Sequence, residues 1–91
     1  MLFVALLKAT GGTPQERIAR RMQWDYPEGI RPVAEYWPQA VEPTVISVFE
    51  AESNAAIMAL TMAWNDVFDI TVVPAVTAEQ GLALAKQMMG G

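Results

Sequence analysis

Hydrophobic and polar positions divide this chain into short blocks whose spacing alternates between the two-residue period of strands and the longer period of helices. The first block, Leu2-Phe3-Val4-Ala5-Leu6-Leu7, has no polar position and reads as a strand that is apolar on both faces. Thr13-Pro14-Gln15-Glu16 is a helix start, with Thr13 as N-cap, Pro14 in the first helical position and Glu16 closing a capping box. Gly11 and Gly12 supply the turn before it. The helix is predicted to reach Gln23 or Trp24, with Ile18 and Met22 inward and Glu16, Arg17, Arg20 and Arg21 outward. Ile30 to Trp37 and Thr44 to Glu50 read as two strands. The link between them, Pro38 to Pro43, is too short for a parallel crossover, so the two must be antiparallel. Ser53 can cap a second helix from Asn54 to Asn65, and its apolar run predicts cover on more than one side. Phe68 to Val76 is a fourth strand. Thr77-Ala78-Glu79-Gln80 is a second capping box, opening a last helix with Leu82, Ala85 and Met89 in one stripe.

The order β-α-β-β-α-β with an appended helix predicts an α+β, ferredoxin-like domain spanning residues 1–91. Proline placement assigns the sheet order independently. Pro32 and Pro74 each remove a ladder donor and confine strands two and four to edges, while strands one and three contain no proline. The predicted antiparallel sheet is therefore 4-1-3-2, and right-handed crossovers put the first two helices on one face. The other face is bare. Leaving four or five of its apolar side chains in water would forgo roughly 6–12 kcal/mol, comparable with the whole stability of a small domain, about 5–15 kcal/mol. A homodimer packed sheet on sheet, a dimeric α/β barrel, is the expected solution. The last helix folded over that face is the rival one.

Composition narrows the chemistry. The chain is 53% hydrophobic and 18% charged, so it should fold. Its net charge of −4, with six Lys and Arg residues, argues against a nucleic-acid partner. With neither cysteine nor histidine, thiolate and imidazole chemistry are absent, and no cofactor or metal site is implied. The apolar start lacks the basic region and cleavage site of a signal peptide, and no run approaches the roughly 20 residues that span a bilayer. A cytoplasmic protein that does not engage membranes is expected.

Candidate binding residues are aromatic. Tyr36, Trp37, Trp24 and Trp64 fall near strand or helix ends, where a cleft could hold a small apolar or aromatic molecule; ordinary packing is the competing explanation. Asp66 and Asp69, with Glu35 or Lys8, are the available acid-base groups if the protein is an enzyme, although aspartates between a helix and a strand are also ordinary turn chemistry. An oxygen-ligand metal site from Asp66, Asp69 and Glu50 has no supporting spacing. Arg17, Arg20 and Arg21 form a basic face that could meet an anion or simply be solvated. Gly90-Gly91 raises the alternative of a diglycine-tailed carrier, but a helix, rather than the last strand of such a carrier, precedes it.

Several segments together resemble a small bacterial family of uncharacterised single-domain proteins with a dimeric ferredoxin-like fold. They are Met1-Leu2-Phe3, Glu16-Arg17 with Arg20-Arg21, Pro27-Glu28-Gly29-Ile30, Tyr36-Trp37, Phe49-Glu50-Ala51, Trp64 to Asp69 and Val73 to Val76. The resemblance covers most of the chain and implies the fold and the dimer, with no established activity. Two function classes follow: a small-molecule-binding or structural module, and, by fold analogy alone, a cofactor-independent monooxygenase or isomerase using Tyr36, Asp66 or Asp69.

Overall fold

A computed structural model describes residues 1–90. Its elements are β1 (Leu2–Ala9), α1 (Pro14–Met22), β2 (Ile30–Tyr36), β3 (Val45–Ala51), α2 (Asn54–Trp64), β4 (Phe68–Pro74) and α3 (Ala78–Met88). The four strands form one antiparallel sheet in the order β2-β3-β1-β4, which is the expected 4-1-3-2 arrangement with both proline-bearing strands at its edges.

The helix starts follow the local chemistry. Thr13 and Glu16 exchange side-chain and backbone hydrogen bonds at 3.1 and 3.2 Å, and Thr77 and Gln80 do the same at 3.0 and 3.1 Å. Ser53 accepts from the Ala56 amide, so each helix begins with orphan donors satisfied. Gly29, before β2, has φ +91°, and a Cβ there would sit 3.0 Å from the Ala56 Cβ. The position needs glycine for conformation and for its close approach to α2.

On the covered face, Phe3, Ala5 and Leu7 of β1 lie beside Phe49, Ser47 and Val45 of β3, with α2 above. Ala5 and Phe49 have no exposed surface, and Phe49 stacks on Phe3 with ring centroids 5.9 Å apart. α2 adds Ala56, Leu60 and Trp64 to the buried set. Its other side is open: Met58 and Met62 are exposed, so the expected second cover is missing within one chain. Ile18 and Met22, expected inward, are also exposed, because α1 stands off the sheet and buries none of its residues.

The bare face is real in the single chain. Leu2, Val4 and Leu6 of β1 alternate onto it beside Ile46 and Val48 of β3, with Val73 of β4 opposite Val4. Lys8, Asp69, Arg31 and Glu50 lie toward its rim, with Arg31 and Glu50 paired at 3.2 Å. α3 does not take up the role of cover: none of its residues is buried, and Leu82, Leu84 and Met88 are exposed. No helix among the described residues is long and apolar enough to cross a membrane.

One irregularity positions the interior polar groups. Pairing of β2 with β3 is regular from Ile30 to Pro32 and resumes at Ala34, leaving Val33 as the extra residue of a β-bulge. Strict alternation from Ile30 would turn Ala34 and Tyr36 toward the helices. The bulge inverts that phase: Ala34 and Tyr36 pair with Val48 and Ile46 on the open face, and Glu35 lies opposite Ser47 on the covered one.

Candidate functional site

The gap between α1 and the sheet is a cavity of about 440 Å³. Its floor is the covered face of β1 and β3, its sides are α1, the Trp24–Tyr26 segment, the end of α2 at Trp64 and the start of β4 at Phe68, and residues 37–41 complete its lining. Thr44 ties that last segment down: its hydroxyl donates to the Val41 carbonyl at 2.8 Å and accepts from the Ala9 amide at 3.1 Å. The volume falls within the range of about 300–1,000 Å³ usual for small-molecule sites.

Aromatic side chains line one side in edge contacts. Trp24 meets Trp64 nearly at right angles, 82° with centroids 5.6 Å apart, and is tilted against Tyr26 at 4.9 Å; Trp64 is tilted against Phe68 at 5.8 Å. All three tryptophans of the chain, Trp24, Trp37 and Trp64, line the cavity. Tyr36 does not, because the bulge turns it to the open face, where it is 60% exposed.

The polar part of the site centres on Glu35. Its Oε1 accepts from the Tyr26 hydroxyl at 2.7 Å and from Arg21 Nη2 at 3.0 Å; its Oε2 accepts from Trp37 Nε1 at 2.7 Å and from Arg21 Nε at 3.2 Å. Ser47 Oγ lies 2.8 Å from the Tyr26 oxygen and, since the Tyr26 hydroxyl donates to Glu35, the Ser47 hydroxyl donates to Tyr26. Arg21 Nη1 donates to the Trp24 carbonyl at 3.0 Å. No buried side-chain polar atom among the described residues lacks a partner.

This network sets the charge states. Burial pushes the Glu35 carboxyl up, but hydrogen bonds from Arg21, Tyr26 and Trp37 outweigh it and hold the group below the usual carboxylate range. Tyr26 is pushed up to about 12, first by burial and further by its bond to an anion, against the lowering bond from Ser47. The Glu35 bond raises Arg21 despite its own burial. At neutral pH Glu35 is an anion, Arg21 a cation and Tyr26 a neutral donor. A carboxylate stabilised by this many donors orients what surrounds it and is a weak proton acceptor.

The other acids lie elsewhere. Asp66, on the α2–β4 turn, forms a two-pronged pair with Arg20 at 2.9 and 3.1 Å, and that bond holds its carboxyl below the usual range. Arg20 also donates to the Ala63 carbonyl and lies over the Trp64 ring, 4.6 Å from its centroid. Asp69 pairs in register with Lys8 on the open face, away from the cavity. Asp66, Asp69 and Glu50 do not assemble; no group of three or more acidic residues among the described residues could hold a metal ion. Of the proposed diglycine tail, Gly90 follows α3 and Gly91 lies outside the described residues.

Sequence reasoning named Glu35 only as an accessory to the aspartates. Its centrality depends on the bulge, which no glycine in Arg31-Pro32-Val33-Ala34 announces. A signal was available in the neighbourhood of Glu35 to Trp37 and Tyr26, two aromatic residues with polar hydrogens to donate.

The class defined by these features is a ferredoxin-like α+β domain with an open sheet face and an aromatic-walled cavity under its first helix. The chain belongs to the family described as Domain of unknown function (DUF3303), whose pattern matches residues 1–89. Comparison with curated proteins and with solved structures returns no match.

Proposed function

We propose that the chain is a homodimeric binding module, in which two copies pack through their open sheet faces and each cavity holds a small, largely apolar molecule. The observation that carries the ligand reading is the cavity, where aromatic and aliphatic walls surround a polar centre whose hydrogen bonds are already satisfied. Such a centre fixes the walls without demanding a particular polar partner from the ligand.

The dimer is supported by surface area. A compact monomer of 10.0 kDa exposes about 5,200 Å², whereas this chain exposes 6310 Å². The excess, about 1,100 Å² per chain, is shared between the open sheet face and the unpacked α3, and is of the order of the roughly 800 Å² that each partner contributes to a standard interface. The radius of gyration tells the same story, 15.2 Å against about 12 Å for a compact domain of this length. Apolar residues at the centre of the open face and charged ones toward its rim fit the usual anatomy of an interface.

Turnover has less support than binding. Glu35 is saturated with donors, Tyr26 holds its proton, Asp66 is committed to Arg20, and Asp69 lies on the other face. A cofactor-independent monooxygenase or isomerase would need a poised base beside its substrate.

Native mass spectrometry of the protein purified from its own cells tests the proposal. The expected spectrum is a two-chain assembly carrying added mass that denaturation releases. A spectrum of bare single chains at micromolar concentration would contradict both parts.

A further inference from the structure

The three arginines of α1 differ in how their charge is met. Each guanidinium lies against the aromatic wall: Arg17 over Phe68 at 5.8 Å, Arg20 over Trp64 at 4.6 Å and Arg21 over Trp24 at 5.4 Å. Arg20 is neutralised by Asp66 at 2.9 Å, and Arg21 by Glu35 at 3.0 Å. Arg17 has no carboxylate within ion-pair distance among the described residues. Its Nη1 is held instead by the carbonyls of Gly11 and Gly12, at 2.7 and 2.9 Å, which leaves Nε and Nη2 uncommitted.

Arg17 also lines the cavity, together with Arg21 and Glu35. Two cations and one anion leave the cavity a single uncompensated positive charge, in a chain whose net charge is −4. Backbone anchoring and the Phe68 face restrict this guanidinium beside an apolar space, so little ordering remains to be done when an anion arrives. Arg21 cannot serve in the same way, since its fork is already engaged by Glu35.

We infer that the cavity selects an aromatic monocarboxylate, with the ring among Trp24, Trp64 and Phe68 and the carboxylate on Arg17. This rests on the cavity being a binding site. One negative charge balances the site; a neutral aromatic leaves Arg17 partly desolvated and unpaired, and a dianion brings a second charge that nothing there offsets. Bidentate pairing of a carboxylate with an arginine fork is the favoured geometry for such a group.

Naphthoate and its neutral isostere naphthamide separate the two claims, with quenching of the cavity tryptophans as the readout. In the wild-type protein naphthoate is expected to bind about tenfold or more tightly than naphthamide, the margin of a charge-assisted hydrogen bond. Arg17→Gln should erase that preference, chiefly by weakening naphthoate, and Arg17→Lys should restore part of it. Rising salt should weaken naphthoate alone, a test that needs no variant. Equal binding of the two compounds by the wild-type protein, or a preference that survives Arg17→Gln, would overturn the anion assignment and leave the binding reading standing. Binding of neither compound would overturn both.

Discussion

Removing the Tyr26 hydroxyl tests the polar centre more sharply than removing a charge. Tyr26→Phe deletes a 2.7 Å bond to an ionised carboxylate and takes the acceptor from Ser47, a residue only 3% exposed. A bond to a charged group contributes about 1.5–3 kcal/mol, and a stranded buried hydroxyl costs about 1–3 kcal/mol. Because Glu35 keeps its Arg21 and Trp37 donors, the lower half of the combined range is the working figure, about 2.5–4 kcal/mol. Ser47→Ala alone removes a donor while Tyr26 keeps its bond to Glu35, so its cost should stay below about 1 kcal/mol. In the double variant nothing is stranded, and its loss should not exceed that of Tyr26→Phe. The assay is urea denaturation at one fixed protein concentration, since association would otherwise move the midpoint. Alkaline pH supplies an independent arm. The folded-state value of Tyr26 is about 12, above the roughly 10 of an unfolded tyrosine, so the folded state keeps a proton that the unfolded state has released. Stability should therefore fall as pH rises from about 10 towards 12, by about 1–2 kcal/mol after discounting for partial exposure, and Tyr26→Phe should lack that loss. Costs that simply add in the double variant, or an alkaline limb unchanged by Tyr26→Phe, would refute the network as drawn.

Other outcomes follow from the same structure. Glu35 carries the opposite sign: its depressed folded-state value gives stability that is present above the unfolded value of about 4.3 and lost as pH falls through the folded one. Glu35→Gln should flatten that acid limb in denaturation curves. Gly29→Ala should destabilise by about 1–3 kcal/mol in a thermal melt, combining φ +91° with the 3.0 Å approach to Ala56, and a neutral result would contradict the turn geometry. Asp66→Asn, at an exposed pair, should leave the melting temperature nearly unchanged. Deleting Val33 should remove the bulge yet keep Ala34 opposite Val48 and Glu35 opposite Ser47, so the alkaline and acid limbs should both survive in denaturation curves, and their loss would contradict the register.

What could be read from the sequence was whatever local chemistry decides. Thr13 with Glu16 and Thr77 with Gln80 announced two helix starts because a capping box is satisfied within four residues. Pro32 and Pro74 announced the edges because a missing amide proton is intolerable in a central strand. The doubly apolar opening strand likewise proved central, with one face on the core and the other open. The cavity was only half legible. Trp24, Trp37 and Trp64 line it, but Tyr36 does not, since a single extra residue at Val33 reverses the phase of everything after it. The pairings of Arg20 with Asp66 and Arg21 with Glu35 were not legible at all. They join positions 46 and 14 residues apart, and only the fold decides which arginine is left without a carboxylate.

The open face of β1 and β3 carries the proposed dimer, because Leu2, Val4, Leu6, Ile46 and Val48 lie on it with no helix of the same chain above them. Sedimentation equilibrium across the micromolar range measures it directly. The expected mass is twice the 10.0 kDa of one chain, reduced to one chain by Val48→Asp at the centre of the face with the cavity fluorescence preserved. A wild-type protein that sediments as a single chain throughout that range would contradict it.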